Sequence, residues 1–245
     1  MTAYTPDPWD VGPLQPPFRP AQTRPAMDIA LRAFMLRVFN TMAGGLALTG
    51  LVAYAAAASG FYAAIAGTPL LWVVVLAPVA LALVLSFGIE RMSPGAAQLA
   101  FWSYAALMGL SLAGIFLVYT GASIARVFFI SAGAFAATAA WGYTTRTDLS
   151  RFGSFLFMGL IGIVLASVVN LFLASSAVQF AVSVIGVLVF TGLTAYDTQR
   201  LKEMHASTWH GDARGRVAIL GALMLYLDFI NLFISLLQLF GTRRD

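Results

Sequence analysis

Two aspartates interrupt apolar sequence, where a carboxylate is costly. Asp197 lies in LTAYDTQRLK (residues 193–202) and Asp228 in LYLDFINLF (residues 225–233). A charged side chain at the centre of a membrane helix costs roughly 2.5–3.5 kcal/mol and is by default a functional candidate. If the two carboxyl groups are close, they cannot both ionise cheaply and they titrate as a pair. We interpret them as a proton-sensitive cation site that, when ionised, would attract a hard cation such as Ca²⁺ transiently through its oxygens.

Polar neighbours on predicted helices could support this pair. Asn231, Ser235 and Gln238 follow Asp228 at i+3, i+7 and i+10, which places all four on one helical stripe. Further polar candidates are Thr194, Ser167, Asn170, Arg37 and Asn40. The alternative is that each aspartate only makes a helix-packing hydrogen bond or caps a helix end.

Other residues carry weaker signals. His205 and His210 in HASTWH have a loose spacing for a metal site, so we interpret them as surface histidines. Glu90 and Arg91 are expected at the membrane interface, although Arg91 could reach inward and neutralise Asp197. There is no Ser–His–Asp pattern and no P-loop, and the Gly-x-Gly-Asp motif of intramembrane aspartyl proteases is missing at YLD. We therefore predict no enzymatic activity.

The composition indicates a chain whose solvent is mainly lipid. Hydrophobic residues make up 60% and charged residues 10%, with a mean hydropathy of +0.85, whereas soluble domains carry about 25% charged residues. The absence of cysteine excludes disulfides and thiolate metal sites. The basic pI near 9.7 reflects Lys and Arg in short loops, where they set membrane topology, so no nucleic-acid partner is predicted.

The apolar runs predict an all-α integral membrane protein with a bundle of seven transmembrane helices, preceded by a Pro-rich, disordered cytoplasmic tail at residues 1–27. Residues 28–245 form the transmembrane domain. The polar stripe on the last segment predicts that it lies inside the bundle. The predicted segments are Val38–Ser59, Leu70–Phe87, Gln98–Tyr119, Ile124–Tyr143, Ser154–Ala174, Val178–Thr198 and Val217–Phe240.

Lys and Arg alternate between loops in a way that places the N-terminus in the cytoplasm. Arg126, Arg243 and Arg244 run against this pattern. If segment seven crosses the membrane, the C-terminus is outside; if it re-enters, the C-terminus is inside. The sequence leaves this choice open.

The two aspartate motifs and the opening LRAFMLRVFNTMAGGLALTGLVAY resemble the transmembrane Bax-inhibitor-motif family, in particular its bacterial members. The resemblance covers about residues 28–241. It implies a seven-helix bundle with the seventh helix central, and a pH-sensitive calcium leak controlled by an aspartate pair, here Asp197 and Asp228. It also implies an arginine near the end of segment two that latches one aspartate, for which Arg91 is the candidate.

We therefore expect a pH-sensitive calcium or cation leak channel, multi-pass in the bacterial inner membrane, with no tightly bound cofactor and with Ca²⁺ and H⁺ as permeant or regulatory ions. One alternative, drawn from the resemblance, is a regulator or substrate of a membrane-bound AAA+ quality-control protease in stress survival. A proton-coupled cation antiporter is another. The lipid bilayer is the predicted environment, and the oligomeric state stays open.

Overall fold

The computed structural model describes residues 24–207 and 211–244, and the regular elements in these ranges are helical. They are α1 (Arg24–Ala58), α2 (Phe61–Ile65), α3 (Leu70–Gly88), a 3₁₀ turn (Ile89–Arg91), α4 (Pro94–Leu112), α5 (Ile115–Val118), α6 (Gly121–Thr144), α7 (Ser150–Leu173), α8 (Ser176–Ser207) and α9 (Gly211–Phe240). Residues 24–27, which the sequence analysis assigns to the tail, form the first turn of α1. The rest of the predicted disordered tail lies outside the described residues.

Seven helical stretches in the described part of the chain are long and apolar enough to cross a membrane, which confirms the predicted all-α integral membrane protein. Each predicted segment lies largely within one of them, but most of the helices are longer. For example, α8 continues beyond Thr198 to Ser207, because Arg and Lys favour a helix as well as apolar residues do. The spans are Ile29–Ala58, Leu70–Arg91, Pro94–Val118, Gly121–Thr144, Ser150–Leu173, Ser176–Ser207 and Ala213–Phe240.

The seventh segment crosses the whole bundle. Helix α9 is unbroken from Gly211 to Phe240, and the residues after it pair with the turn between α5 and α6. This end of the bundle is opposite the start of α1, so Arg126, Arg243 and Arg244 all lie towards the same end. Placement of the N-terminus in the cytoplasm stays a prediction. The pairing bonds run from Thr242 N to Ser123 Oγ, from Thr120 N to Thr242 O and from Arg244 N to Val118 O, at 2.8, 3.0 and 2.9 Å.

Helix α9 is the most buried of the seven spans. In its most apolar stretch 67% of the residues are buried, against at most 33% in any other span. It packs against α1, α4, α6 and α8, whereas α7 packs on α8 and α3 packs on α4. This burial supports the expected central position of the seventh helix, which stays a prediction.

Glycines allow the helices around α8 to approach closely. Gly142 of α6 lies directly against the backbone of Ala195 in α8, and Gly192 of α8 lies against the side chain of Leu156 in α7. A Cβ at either glycine would overlap these neighbours. Helix α8 is therefore fixed between α6 and α7 close to Asp197.

Candidate functional site

The candidate site lies between α8 and α9, which make the most extensive helix contact in the bundle. The two helices run antiparallel. Gly186 of α8 faces Ser235 of α9, and further along Gly221 of α9 faces Leu201 of α8. The missing side chains at the two glycines let the helices come close. Between these two contacts, Asp197 and Asp228 lie opposite each other.

The two aspartates are buried and in contact. Asp197 is 8% exposed and Asp228 5%, and their carboxyl groups are within hydrogen-bonding reach of each other. A hydrogen bond between two carboxyl groups needs one proton, because an ionised carboxylate has only acceptors. Asp228 Oδ2 has no hydrogen-bond partner among the described residues. The structure thus brings the two sequence-predicted residues together in one buried contact between α8 and α9.

The cation that acts on Asp197 is Arg200, about one turn further along α8. Arg91 ends the 3₁₀ turn after α3, and its side chain is exposed. Within the described ranges no hydrogen bond or ion pair joins it to either aspartate. In this structure the exposed Arg91 therefore does not form the expected latch. Its role as a latch stays a prediction.

The polar stripe on α9 faces α8, as helical periodicity predicts. Ser235 packs on Gly186, and Gln238 Oε1 accepts a 2.6 Å hydrogen bond from Ser183 Oγ. Only the start of the stripe, however, is at the depth of the Asp197–Asp228 pair, which we call the dyad. Gln238 lies about 15 Å beyond Asp228 along the helix. Asn231 donates to its own helix, at Leu227 O (2.8 Å), and Ser235 donates to Asn231 O (2.8 Å).

The other supporting candidates have different positions. Thr194 is fully buried on α8, where its hydroxyl donates to Phe190 O at 2.7 Å. Asn170 is at the far end of α7, where its Oδ1 accepts from Ser175 N (3.0 Å) and closes the turn into α8. Asn170 is thus not part of the site. Its spacing from Ser167 predicts that the two side chains share one face of α7, but it does not predict how deep in the membrane they lie.

The remaining polar candidates also lie away from the dyad. Ser167 is exposed on α7. Arg37 lines a small polar cavity between α1, α4 and α9, and Asn40 lines an apolar groove between α1 and α6. The His205 ring lies 4.9 Å from that of Phe34, and His210 is outside the described residues. In the ranges that the structure describes, no group of three or more His, Asp or Glu side chains could hold a metal ion.

Two polar contacts near the site have no signature in the sequence. Tyr226 Oη and Thr49 Oγ1 share a 2.6 Å hydrogen bond that ties α9 to α1. Gln199 holds the α6–α7 loop, with Oε1 accepting from Leu149 N (2.7 Å) and Nε2 donating to Thr147 O (2.8 Å). In the sequence, each of these residues is only a polar side chain in or beside an apolar segment, and that does not identify its partner.

The oxygens of the Asp197–Asp228 pair could fill only part of the coordination shell of a cation such as Ca²⁺. The two carboxyl groups offer at most four oxygens, whereas Ca²⁺ takes six to eight oxygen ligands. Water would have to supply the rest. The dyad can change its charge with the proton it shares, so its attraction for a cation depends on protonation.

Seven spanning helices with an acid pair buried between the last two define a polytopic membrane protein. A family model described as "Inhibitor of apoptosis-promoting Bax1" matches residues 31–245. The chain belongs to this Bax-inhibitor family, which confirms the resemblance seen in the sequence.

Bacterial relatives match over nearly their whole length. Inner membrane protein YbhL of Escherichia coli strain K12 is 50% identical over 218 residues, which cover 87% of this chain and 93% of the relative. Protein RP147 of Rickettsia prowazekii is 45% identical over 219 residues, with 89% and 93% covered. Membrane protein SpyM3_0260 of Streptococcus pyogenes is 34% identical over 217 residues, with 87% and 94% covered.

Proposed function

We propose that this protein is a pH-sensitive cation leak channel of the bacterial inner membrane, with Ca²⁺ as a permeant ion and the Asp197–Asp228 pair as its gate. The observation that carries the proposal is the contact between two buried carboxyl groups on adjacent spanning helices. The name of the relative YbhL supports the inner membrane as its location. The proposal assigns the chain no enzymatic reaction and no resident cofactor.

The shared proton gives the gate a direction. With the proton present, the hydrogen bond holds α8 and α9 together and the pair attracts a cation weakly. Without it, two charges about 4 Å apart repel by about 4 kcal/mol at an effective dielectric constant of about 20. A repulsion of this size can change the ratio of open to closed channels by about 10³-fold. The same deprotonation attracts Ca²⁺, so flux should rise with pH.

The experiment that tests the proposal is Ca²⁺ flux into liposomes containing the purified full chain, measured from about pH 5 to pH 8. Wild-type flux should increase with pH. Asp228→Asn keeps the size of the side chain and can donate a hydrogen bond without a titrating proton. Its flux should be low and independent of pH. A pH-dependent flux that survives Asp228→Asn would sink the mechanism.

Asp148→Asn is the matched control. Asp148 is an exposed carboxylate in the α6–α7 loop, and hydrogen bonds from Ser150 lower its pKa below the usual value. It is therefore ionised throughout the tested range and should not contribute to the pH dependence. The control variant should behave like wild type.

Two further outcomes separate the alternatives. Ca²⁺ movement that requires an imposed proton gradient and moves protons the other way would favour a proton-coupled antiporter. No flux from folded wild type at any pH would favour the regulatory role with a membrane-bound protease.

A further inference from the structure

Helices α1 and α6 both pack on α9 but leave an open groove between them. The groove has a volume of about 750 Å³. Its walls are formed by aliphatic and aromatic side chains together with Asn40, and Phe229 of α9 forms its floor. We call it the lateral groove. Its walls include Met35, Phe39 and Ala43 of α1 and Ala132 and Ala136 of α6.

The lateral groove continues towards the far end of the bundle. A second cavity of about 290 Å³ shares Leu46, Phe128 and Phe229 with the first and extends to Ala53. The distance from Arg32 at one end to Ala53 at the other is about 30 Å for a helix that rises 1.5 Å per residue. This matches the hydrocarbon thickness of a bilayer, about 30 Å. The groove therefore follows the direction in which lipid chains lie.

The surroundings of the lateral groove exclude most occupants. Leu36 and Phe129 beside it are 53% and 73% exposed, so it opens onto the lipid-facing side. Apolar cavities stay dry, and an unfilled one loses packing contacts. The Pro-rich residues 1–23 are also unsuited, because their backbone polar groups would have no hydrogen-bond partners in hydrocarbon. An acyl chain can fill the space with no such cost.

Arg32 supplies the polar end that a phospholipid needs. It lines one mouth of the lateral groove and is exposed there, and it forms no ion pair with any acidic side chain in the described ranges. On the predicted topology this mouth is at the cytoplasmic interface. Basic pockets between helices on that side bind anionic head groups, and a guanidinium matches phosphate geometry.

We propose that the lateral groove is a binding site for one anionic glycerophospholipid, with an acyl chain between α1 and α6 and the phosphate on Arg32. The lipid closes the wall of the bundle next to Phe229, which directly follows Asp228. This inference does not depend on the proposed channel function, because it concerns a separate surface of α9.

The test uses the full chain in vesicles with trace phosphatidylglycerol or phosphatidylcholine that carries a photoactivatable diazirine in the acyl chain. Labelled peptides are located by mass spectrometry. The expected result is labelling concentrated on the groove-facing stretches of α1 and α6, favouring the anionic lipid by roughly tenfold, the effect of one charged hydrogen bond. Equal labelling of all lipid-facing helices, or no preference between the head groups, would overturn the proposal.

Two pairs of variants sharpen the result. Ala136→Phe fills the lateral groove and should reduce its labelling severalfold, whereas Ala137→Phe, on the neighbouring exposed position outside the groove, should not. Arg32→Gln should remove the head-group preference, whereas Arg151→Gln, another exposed cation at the same end of the bundle, should keep it. Identical labelling within either pair contradicts the site.

A second copy of the chain is the remaining occupant to separate from lipid. If another protomer covered the groove, labelling would increase when the protein is diluted into excess lipid. Labelling that is independent of the protein-to-lipid ratio supports a bound lipid, and labelling that rises on dilution refutes it.

Discussion

Replacing Gly142 by alanine tests how α8 is positioned. A Cβ at Gly142 would lie 2.8 Å from Ala195 Cα and 3.0 Å from Ala195 C, and closer still to its carbonyl oxygen. These atoms are backbone, so no side chain can rotate away and α8 itself must shift. Overpacking costs about 1–3 kcal/mol, and we expect the upper end here. Alanine regains roughly 1 kcal/mol over glycine inside a helix, which leaves a net loss of about 2 kcal/mol.

The assay is thermal unfolding of the purified protein in one detergent at one scan rate, because membrane proteins often unfold irreversibly. A chain of this size shifts by about 2–4 °C per kcal/mol, so Gly142→Ala should lower Tm by about 4–8 °C. Gly133→Ala is the control on the same helix, since no atom lies within 4 Å of its added Cβ. The control should unfold about 2–4 °C above wild type, because its gain of about 1 kcal/mol in helix propensity is not offset by overpacking. Equal values for the two variants would refute the close contact between α6 and α8.

Three further predictions concern buried or loop-binding polar groups whose partners the sequence did not reveal. Tyr226→Phe should destabilise the protein by about 0.6 kcal/mol, a typical value for a hydrogen bond between membrane helices, because it removes the bond to Thr49. Tyr104→Phe should be neutral or stabilising in the same thermal assay, because the buried Tyr104 hydroxyl has no partner in the described structure. Gln199→Ala should speed hydrogen exchange at the Leu149 amide, which it currently binds, and unchanged exchange would contradict that contact.

The face of a helix was predictable from the sequence, whereas the depth of a polar group was not. Helical periodicity placed Ser235 and Gln238 on the side of Asp228, and both contact α8. The pattern did not show that Gln238 meets Ser183 near the end of the bundle or that Asn170 closes a turn. Depth depends on where each helix begins, and hydropathy locates only the apolar part of a helix.

Partners across the bundle needed the tertiary structure. The resemblance suggested Arg91 as a partner of an aspartate, but Arg200 is the cation that acts on Asp197 here. The hydrogen bond between Thr49 and Tyr226 joins residues far apart in the chain. Either residue alone is compatible with many helix arrangements, so the sequence does not predict the bond. The aspartate pair was recognisable because burying an acid in lipid is costly enough to stand out in the sequence itself.

The positions of Asp228 and Phe229 connect the two proposals. Successive residues on a helix point about 100° apart, since 3.6 residues make one turn. Asp228 contacts α8, while Phe229 faces the lateral groove between α1 and α6. A change in the dyad that moves α9 away from α8 must therefore narrow or reshape the groove on its neighbouring face. If both proposals hold, lipid in the groove resists that movement, so an anionic lipid should stabilise the closed, protonated state of the pair.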